Sequence, residues 1–497
     1  MTQRPCSERS AYGASRLAIV ALVAALAGAA LMGCAHYRAR PLASRQVVAD
    51  FESRTLADDG LKAFLETNHV TGDWPRKNWE LESLTLAAFY FSPELDLARA
   101  QAETSHAGLR TASQRPNPTV SASPQYNATT FSPSPWVVGL NLDIPIETAG
   151  KRGYRMAQAR HLSDAAKLNI ATTAWAVRSK LRRALVDLCA GTEQERLLGA
   201  QLQAQQQNAK LLEAQLNAGA VSPSEVTRER IAVQTTRLAL YDAKRQRAES
   251  RVAVAEAVGL PASALDDVQI AFTGLDRVPP GMDTPTARRQ ALLNRADVLA
   301  ALSEYAASEA ALQLEIAKQY PDIHLNPGYE YDQGDNKWGV GLSLELPVLN
   351  QNQGPIAEAE ARRAESAARF NVLQARVLAD IERGLAAYTS AREKSATADG
   401  LLANLEQQER RLNGRFETGD ISRGELLAGQ VELASARLAR AEAVAKAQQA
   451  LGQLEEALQS TVQLAAGRVL SPREPSPVAG VPQLSEHPGS SQAHRNP

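Results

Sequence analysis

The sequence predicts a mainly α-helical fold with a small β part, written twice along the chain. One strand-like decapeptide occurs in two copies, WVVGLNLDIP at 136–145 and WGVGLSLELP at 338–347. Each copy leads within ten residues into a long stretch without proline, then into a Gly- and Ser-containing break and a second helical stretch. Aromatic residues make up only 5% of the chain, while Ala, Leu, Gln, Glu and Arg dominate. Such a composition suits long helices packed through small residues better than an aromatic-rich globular core.

The chain opens with a targeting segment. Arg4, Arg9 and Arg16 precede an apolar run at 17–31, short for a membrane span and well suited to a signal peptide. The run ends Leu31-Met32-Gly33-Cys34, which resembles a bacterial lipobox: residues 1–33 would be removed and Cys34 lipidated as the mature N-terminus. The alternative is ordinary cleavage near Ala25-Leu26-Ala27. Ala35 after the cysteine resembles the outer-membrane sorting signal. With Cys6 removed and Cys34 acylated, Cys189 stands alone and no internal disulfide can form. No later apolar run is long enough for a transmembrane helix, so any crossing of a membrane falls to strands.

Residues 34–80 read as an irregular anchoring and wrapping segment, with Trp74 and Trp79 as packing anchors. The first repeat spans 81–275. It starts with a helix at 81–115, stopped by Pro116 and Pro118, and continues into a hairpin at about 118–145. The long helix at 154–217 puts Leu181, Leu185 and Leu188 on one face; at 1.5 Å per residue it runs about 95 Å. A tip at 217–223 breaks it, with Ser222 as N-cap and Pro223 at the first helical position of the return helix. That helix ends at Gly259.

The second repeat spans 276–465 and keeps the order. A linker with Pro279, Pro280 and Gly281 leads to a helix at 286–319, a hairpin at about 321–347, a long helix at 356–418, a tip at 418–423 and a return helix to about 460. Val377, Ile381, Leu385 and Tyr388 share one face of the long helix. Trp136 and Trp338 lie 202 residues apart, as do Pro145 and Pro347, and Gly219 and Gly419 lie 200 apart. A unit of that length is a duplicated half, not a solenoid repeat. In each half the helix before the hairpin and the return helix together match the long one, so they are predicted to stack end to end beside it. The tail at 466–497 is rich in Pro, Ser and Gly without apolar periodicity, and disorder is predicted there.

Period-two alternation sorts the hairpins into faces. Val138, Leu140, Leu142 and Ile144 form one face of the first copy, and Val340, Leu342, Leu344 and Leu346 one face of the second. The intervening positions are small, polar or acidic. Val120, Ala122 and Tyr126 alternate in the upstream partner strand of the first hairpin, and Ile323, Leu325, Tyr329 and Tyr331 in that of the second. A half-buried soluble strand gives this pattern too, but two copies between long helices favour a wall with lipid outside and water inside. Tyr126, Trp136, Tyr329, Tyr331 and Trp338 cluster near the loop ends, where an interfacial girdle sits. Four strands cannot close a membrane barrel, which needs about eight or more. The sheet is therefore either covered by protein or shared between chains.

A net charge of −1 gives no electrostatic case for nucleic acid. No nucleophile–base or paired-acid arrangement can be picked out, so no enzyme is predicted. The seven histidines show no paired ligand spacing, and neither a metal site nor a cofactor is predicted. His324 falls on the polar strand face and reads as a solvated pore residue. Gly150-Lys151-Arg152 lacks the rest of a phosphate-binding loop and reads as a cap on the strand-to-helix junction.

With these features assembled, the chain resembles the TolC-like outer-membrane factor family over about 81–460. The duplicated strand pairs, the long Ala/Gln/Arg helices and the two tips carry the likeness. Ile144-Pro145-Ile146-Glu147 with Gly150-Lys151-Arg152, and the stretch from Leu346 to Asn350 with Asn352-Gln353-Gly354, resemble its cation-efflux, CzcC-like branch. The resemblance implies a homotrimer in the outer membrane, with a shared twelve-stranded barrel over a periplasmic helical tunnel. It also implies a periplasmic membrane-fusion adaptor and an inner-membrane pump of the RND type. The tips that would meet the adaptor are Asn217, Gly219, Val221 and Ser222, and Thr418, Gly419, Asp420, Ser422 and Arg423. Glu225 and Glu425 correspond to acids lining the tunnel entrance; the other role open to them is to complement a helix N-terminus. Metal cations lead as cargo, with drugs or solvents behind. The rival of a different class is a periplasmic coiled-coil adaptor or scaffold with a covered sheet.

Overall fold

The computed structural model describes residues 37–70, 72–129, 134–279 and 284–461. Cys34 and the signal segment, Pro280 and Gly281 of the linker, and the 466–497 tail lie outside them. Residues up to Arg54 form a unit of their own, whose described helix α1 (Ser44–Glu52) buries no side chain. Everything from Thr55 onward belongs to a second unit.

In that second unit α2 (Asp59–Thr67), a short strand β1 (Asn78–Trp79), α3 (Leu81–Phe91) and α4 (Pro93–Ser113) lead to the first hairpin. Its strands are β2 (Thr119–Tyr126) and β3 (Trp136–Ile146). The long helix α5 (Lys151–Asn217) and the return helix α6 (Pro223–Val258) follow. The second half has β4 (Gln269–Ile270), α7 (Thr284–Asn294), α8 (Ala296–Ala317), β5 (Ile323–Asp332), β6 (Asp335–Leu344), α9 (Gln353–Glu417) and α10 (Arg423–Leu458). The duplicated order is as the sequence predicts, and α5 and α9 carry 67 and 65 residues without interruption.

Each helix predicted ahead of a hairpin is in fact two. Ser92 ends α3 in extended geometry and accepts the Leu95 N–H, with Pro93 opening α4. This is the N-cap and first-turn proline arrangement. In the second half the break falls at Arg295, whose guanidinium meets Asp297 at 2.7 Å and the Ala457 carbonyl, while Gln459 Oε1 accepts the Ala296 N–H at 2.9 Å. That cap is supplied by the end of α10.

The helices lie four abreast. On the hairpin side the neighbours run α4, α5, α8, α9; on the tip side they run α6, α5, α10, α9. α4 and α6 follow one another along α5, and the end of α3 meets the end of α6 between them. At their meeting point Gly259 has φ of +89°, and a Cβ there would lie 2.7 Å from the Phe91 carbonyl oxygen. Both the left-handed backbone and the close approach require glycine.

Around this joint lies the larger apolar core. Leu61, Leu65, Trp79, Leu84 and Leu95 meet Leu181 and Leu185 of α5 and Val254 and Val258 of α6. β1 and β4 pair in parallel at its margin. A second cluster joins Val377, Ile381 and Tyr388 of α9 to Leu451, Leu454 and Leu458 of α10. Between the halves runs a buried polar seam. Arg182 of α5 donates to the Gln448 carbonyl at 2.7 Å and to Gln448 Oε1 at 2.8 Å, and its Nε lies 3.2 Å from Glu455 Oε2. Arg178 reaches the same carboxylate oxygen at 3.2 Å. Burial lowers the Arg182 pKa, and Glu455 opposes that shift.

Candidate functional site

Three surfaces carry the residues singled out by the sequence: the sheet, the strand-to-helix junctions and the tips. The sheet has the order β2-β3-β5-β6, antiparallel throughout, with β2 and β6 at its open edges. Its register aligns the aliphatic positions across every strand. Val120 faces Leu142 and Ala122 faces Leu140. Leu140 also faces Tyr329 and Ile144 faces Leu325. Leu325 faces Leu342 and Ile323 faces Leu344. Val138, Leu140, Leu142, Ile144, Val340, Leu342 and Leu344 therefore share one face, on which Val340 and Leu342 are 74% and 70% exposed.

Leu346 departs from the prediction. β6 ends at Leu344, and Leu346 lies beyond it as exposed coil. The second connection is also tighter than the polar stretch 333–336: Asp332 pairs with Asp335 across Gln333 and Gly334, whose φ values are +52° and +122°. Near the loop ends Tyr126 packs edge-on against Trp136 at 5.1 Å, and Tyr329 lies 4.8 Å from Trp338.

The opposite face carries Ser121, Ser123, Asn141, Asp143, His324, Asn326, Glu330 and Ser343. His324 is paired, with Nδ1 lying 2.9 Å from Asp143 Oδ1. Asn326 donates to Ser343 Oγ at 3.0 Å. The His324–Asp143 pairing was not foreseen, although alternation had placed both residues on the polar face.

At the first junction Gly150 takes φ of +72° and caps α5, and the Gly-Lys-Arg stretch makes the cross-connections. Lys151 donates to Asp322 Oδ1 at 2.8 Å, as does the Thr148 N–H at 2.9 Å. Arg152 donates to the Ser113 carbonyl at 2.8 Å, and Arg155 pairs with Glu147 at 2.7 Å. These bonds tie hairpin, long helix and α4 together. At the second junction Asn352, with φ of +61°, caps α9 and donates to the Glu315 carbonyl at 2.7 Å.

The two tips share one geometry. Gly219 and Gly419 have φ of +74° and +79°, and each long helix closes with a pair of backbone bonds. Ala220 N–H donates to the Gln215 carbonyl, and Asp420 N–H to that of Arg415, both at 2.8 Å. This is the Schellman closure. Ser222 and Ser422 then accept the N–H of Glu225 and Glu425 at 3.4 and 3.2 Å. Ser222 also donates to Glu225 Oε1 at 3.1 Å, so Glu225 takes part in capping. Thr418 Oγ1 donates to Asp420 Oδ2 at 2.8 Å. Both glutamates are exposed at the third position of their helices, as are Asn217, Gly219, Thr418, Gly419, Asp420, Ser422 and Arg423 around the turns, while Val221 is half-buried.

Among the described residues no helix is long and apolar enough to cross a membrane, and no three His, Cys, Asp or Glu side chains come together as a metal site. The family model described as "Outer membrane efflux protein" matches residues 90–260 and 287–459, one stretch for each half. The chain belongs to the outer membrane efflux protein family. The chain is 25% identical over 228 residues to the cobalt-zinc-cadmium resistance protein CzcC of Cupriavidus metallidurans, covering 46% of this chain and 53% of CzcC. It is 24% identical over 301 residues to the pyoverdine export outer membrane protein OpmQ of Pseudomonas aeruginosa, covering 59% and 60%. The chain thus spans between half and three-fifths of these relatives. Among solved structures, the outer membrane protein VceC of Vibrio cholerae superposes with a TM-score of 0.62 at 19% identity, covering 77% of this chain and 97% of VceC. That likeness concerns the fold.

Proposed function

We propose that this efflux-family chain is the outer-membrane duct of a tripartite export system, passively passing cargo delivered by an inner-membrane pump and a periplasmic adaptor. The observation that carries the reading is the sheet: an exposed aliphatic face continuous over four strands, backed by a polar face and flanked by two open edges. An aliphatic face suits lipid and a polar face suits a water-filled lumen. Four strands do not close, so copies share the barrel, three of them by the family resemblance. Cys34 supplies a lipid anchor.

The tips face the adaptor through the turns at Gly219 and Gly419. Glu225 and Glu425 of every copy ring the periplasmic entrance and attract cations there, besides serving as helix caps. Metal cations are the favoured cargo, on the likeness to CzcC and to the cation-efflux junction motifs. The likeness to OpmQ keeps organic cargo as the second reading. A periplasmic adaptor role fits less well, because it would leave the aliphatic face of the sheet without lipid or protein against it.

The test is reconstitution in planar bilayers alongside a deletion strain challenged with a panel of metals and antibiotics. Conductance is expected, with cation preference lowered when Glu225→Gln and Glu425→Gln are combined. Unchanged selectivity in that variant would remove the entrance role; a protein that never inserts would remove the duct. Metal hypersensitivity of the deletion strain supports metal cargo, and sensitivity confined to organic compounds overturns it.

A further inference from the structure

The polar face of the sheet carries a pairing that passive conduction does not use, His324 of β5 with Asp143 of β3. The imidazole Nδ1 lies 2.9 Å from Asp143 Oδ1 and 3.1 Å from Oδ2, so both carboxylate oxygens converge on one ring nitrogen. The His324 and Asp143 side chains remain 39% and 34% exposed. We propose that this pair is a weak, exchangeable site for a divalent transition-metal ion of the zinc class, one in each copy. The inference rests on the duct reading and deepens it, since the polar face is the water-filled side along which cargo passes.

The spacing is the first support. Two ligand atoms about 2.0–2.2 Å from a zinc ion, at about a right angle to one another, stand about 3 Å apart. Nδ1 and Oδ1 already have that separation. A metal ion can therefore take the place of the shared proton with little movement of either strand.

The choice of partner is the second, independent support. Asp143, Glu147 and Asp322 gather where the sheet meets the helices. Lys151 holds Asp322 at 2.8 Å and Arg155 holds Glu147 at 2.7 Å. Among the described residues no Lys or Arg pairs with Asp143; its partner is an imidazole, which binds a proton or a metal ion. Thr119 faces Asp143, and Pro145 and Ser343 face His324. None of these carries a charge, which leaves the other coordination positions to water. One imidazole nitrogen with one carboxylate suits zinc, cobalt or nickel, whereas soft monovalent cations prefer sulfur. The four strands contain neither Cys nor Met. Structural zinc sites take four protein ligands; two hold the ion loosely enough to release it, as conduction requires.

The test uses the full chain, titrated with Zn²⁺ and, as a control for charge alone, with Mg²⁺. In equilibrium dialysis of detergent-extracted protein, the parent is expected to bind one Zn²⁺ per chain more than His324→Gln or Asp143→Asn. In planar bilayers Zn²⁺ is expected to interrupt single-channel current at concentrations where Mg²⁺ does not. Each variant should raise the Zn²⁺ concentration required by about tenfold or more while keeping the zinc-free conductance. Two variants on two strands guard against a folding defect in either one. Equal zinc binding by the parent and both variants overturns the site, as does Mg²⁺ matching Zn²⁺ in both measurements. A parent that binds the extra ion but never conducts removes the duct and keeps the metal site. A conducting parent without the extra ion removes the site alone.

Discussion

At Arg182 a guanidinium is held in the middle of the helical wall by Gln448 and Glu455, both from the other half of the chain. Removing one member of such a group leaves the other charge buried without its partner, at a cost of about 3–5 kcal/mol. Glu455→Ala is therefore expected to lower the thermal midpoint of the purified protein strongly, measured by circular dichroism. Replacing both, Arg182→Met with Glu455→Leu, is expected to recover most of the loss. A single variant as stable as the parent would show that the seam contributes nothing. Glycines offer a second residue-scale comparison. Gly219 and Gly259 both have positive φ, but a Cβ at Gly219 meets open space while one at Gly259 meets the Phe91 carbonyl. Gly219→Ala carries only the backbone strain, about 1–2 kcal/mol. Gly259→Ala adds steric overlap, so its midpoint should fall clearly further.

The elements were legible wherever the signal is local. Ser222 with Pro223, and the alternation in both hairpins, fix a cap and two strand pairs within a few residues of chain. Ser92 with Pro93 is a signal of the same kind, and it divides the stretch 81–115 that the stop at Pro116 and Pro118 alone leaves as one helix. The break at Arg295 could not be read, since its caps come from Gln459 and Ala457, more than 160 residues away. The Asp322–Lys151 clasp was hidden for the same reason, and only its Lys151 half was flagged. Leu346 obeys the alternation and still falls outside β6, because a strand needs a neighbour as well as a pattern. The faces themselves are open to test. Leu140→Arg is expected to impair membrane insertion, costing about 2–4 kcal/mol near mid-bilayer, while Ser343→Arg on the polar face should insert nearly as well as the parent. Heat-modifiable migration on gels reads this, and equal damage from both would mean the faces are reversed.

Across the whole molecule, the order α6, α5, α10, α9 on the tip side and β2, β3, β5, β6 in the sheet leaves unlike edges along its length. Unlike edges make a heterologous contact, which either closes into a ring or runs on as a filament. A barrel demands closure, and detergent-extracted protein is expected to have the mass of three chains by light scattering; a monodisperse monomer would undo the shared-barrel reading. The joint at Gly259 has a mechanical consequence. α4 and α6 follow one another along one side of α5, and α8 and α10 follow one another between α5 and α9, whereas α5 and α9 pass both joints as unbroken beams. A beam about 100 Å long turns a tilt of about one degree at its root into nearly 2 Å of travel at its far end. Both spliced columns can bend at their joints, so load applied at the tips would reach the barrel along α5 and α9 and be relieved at Gly259 and Arg295.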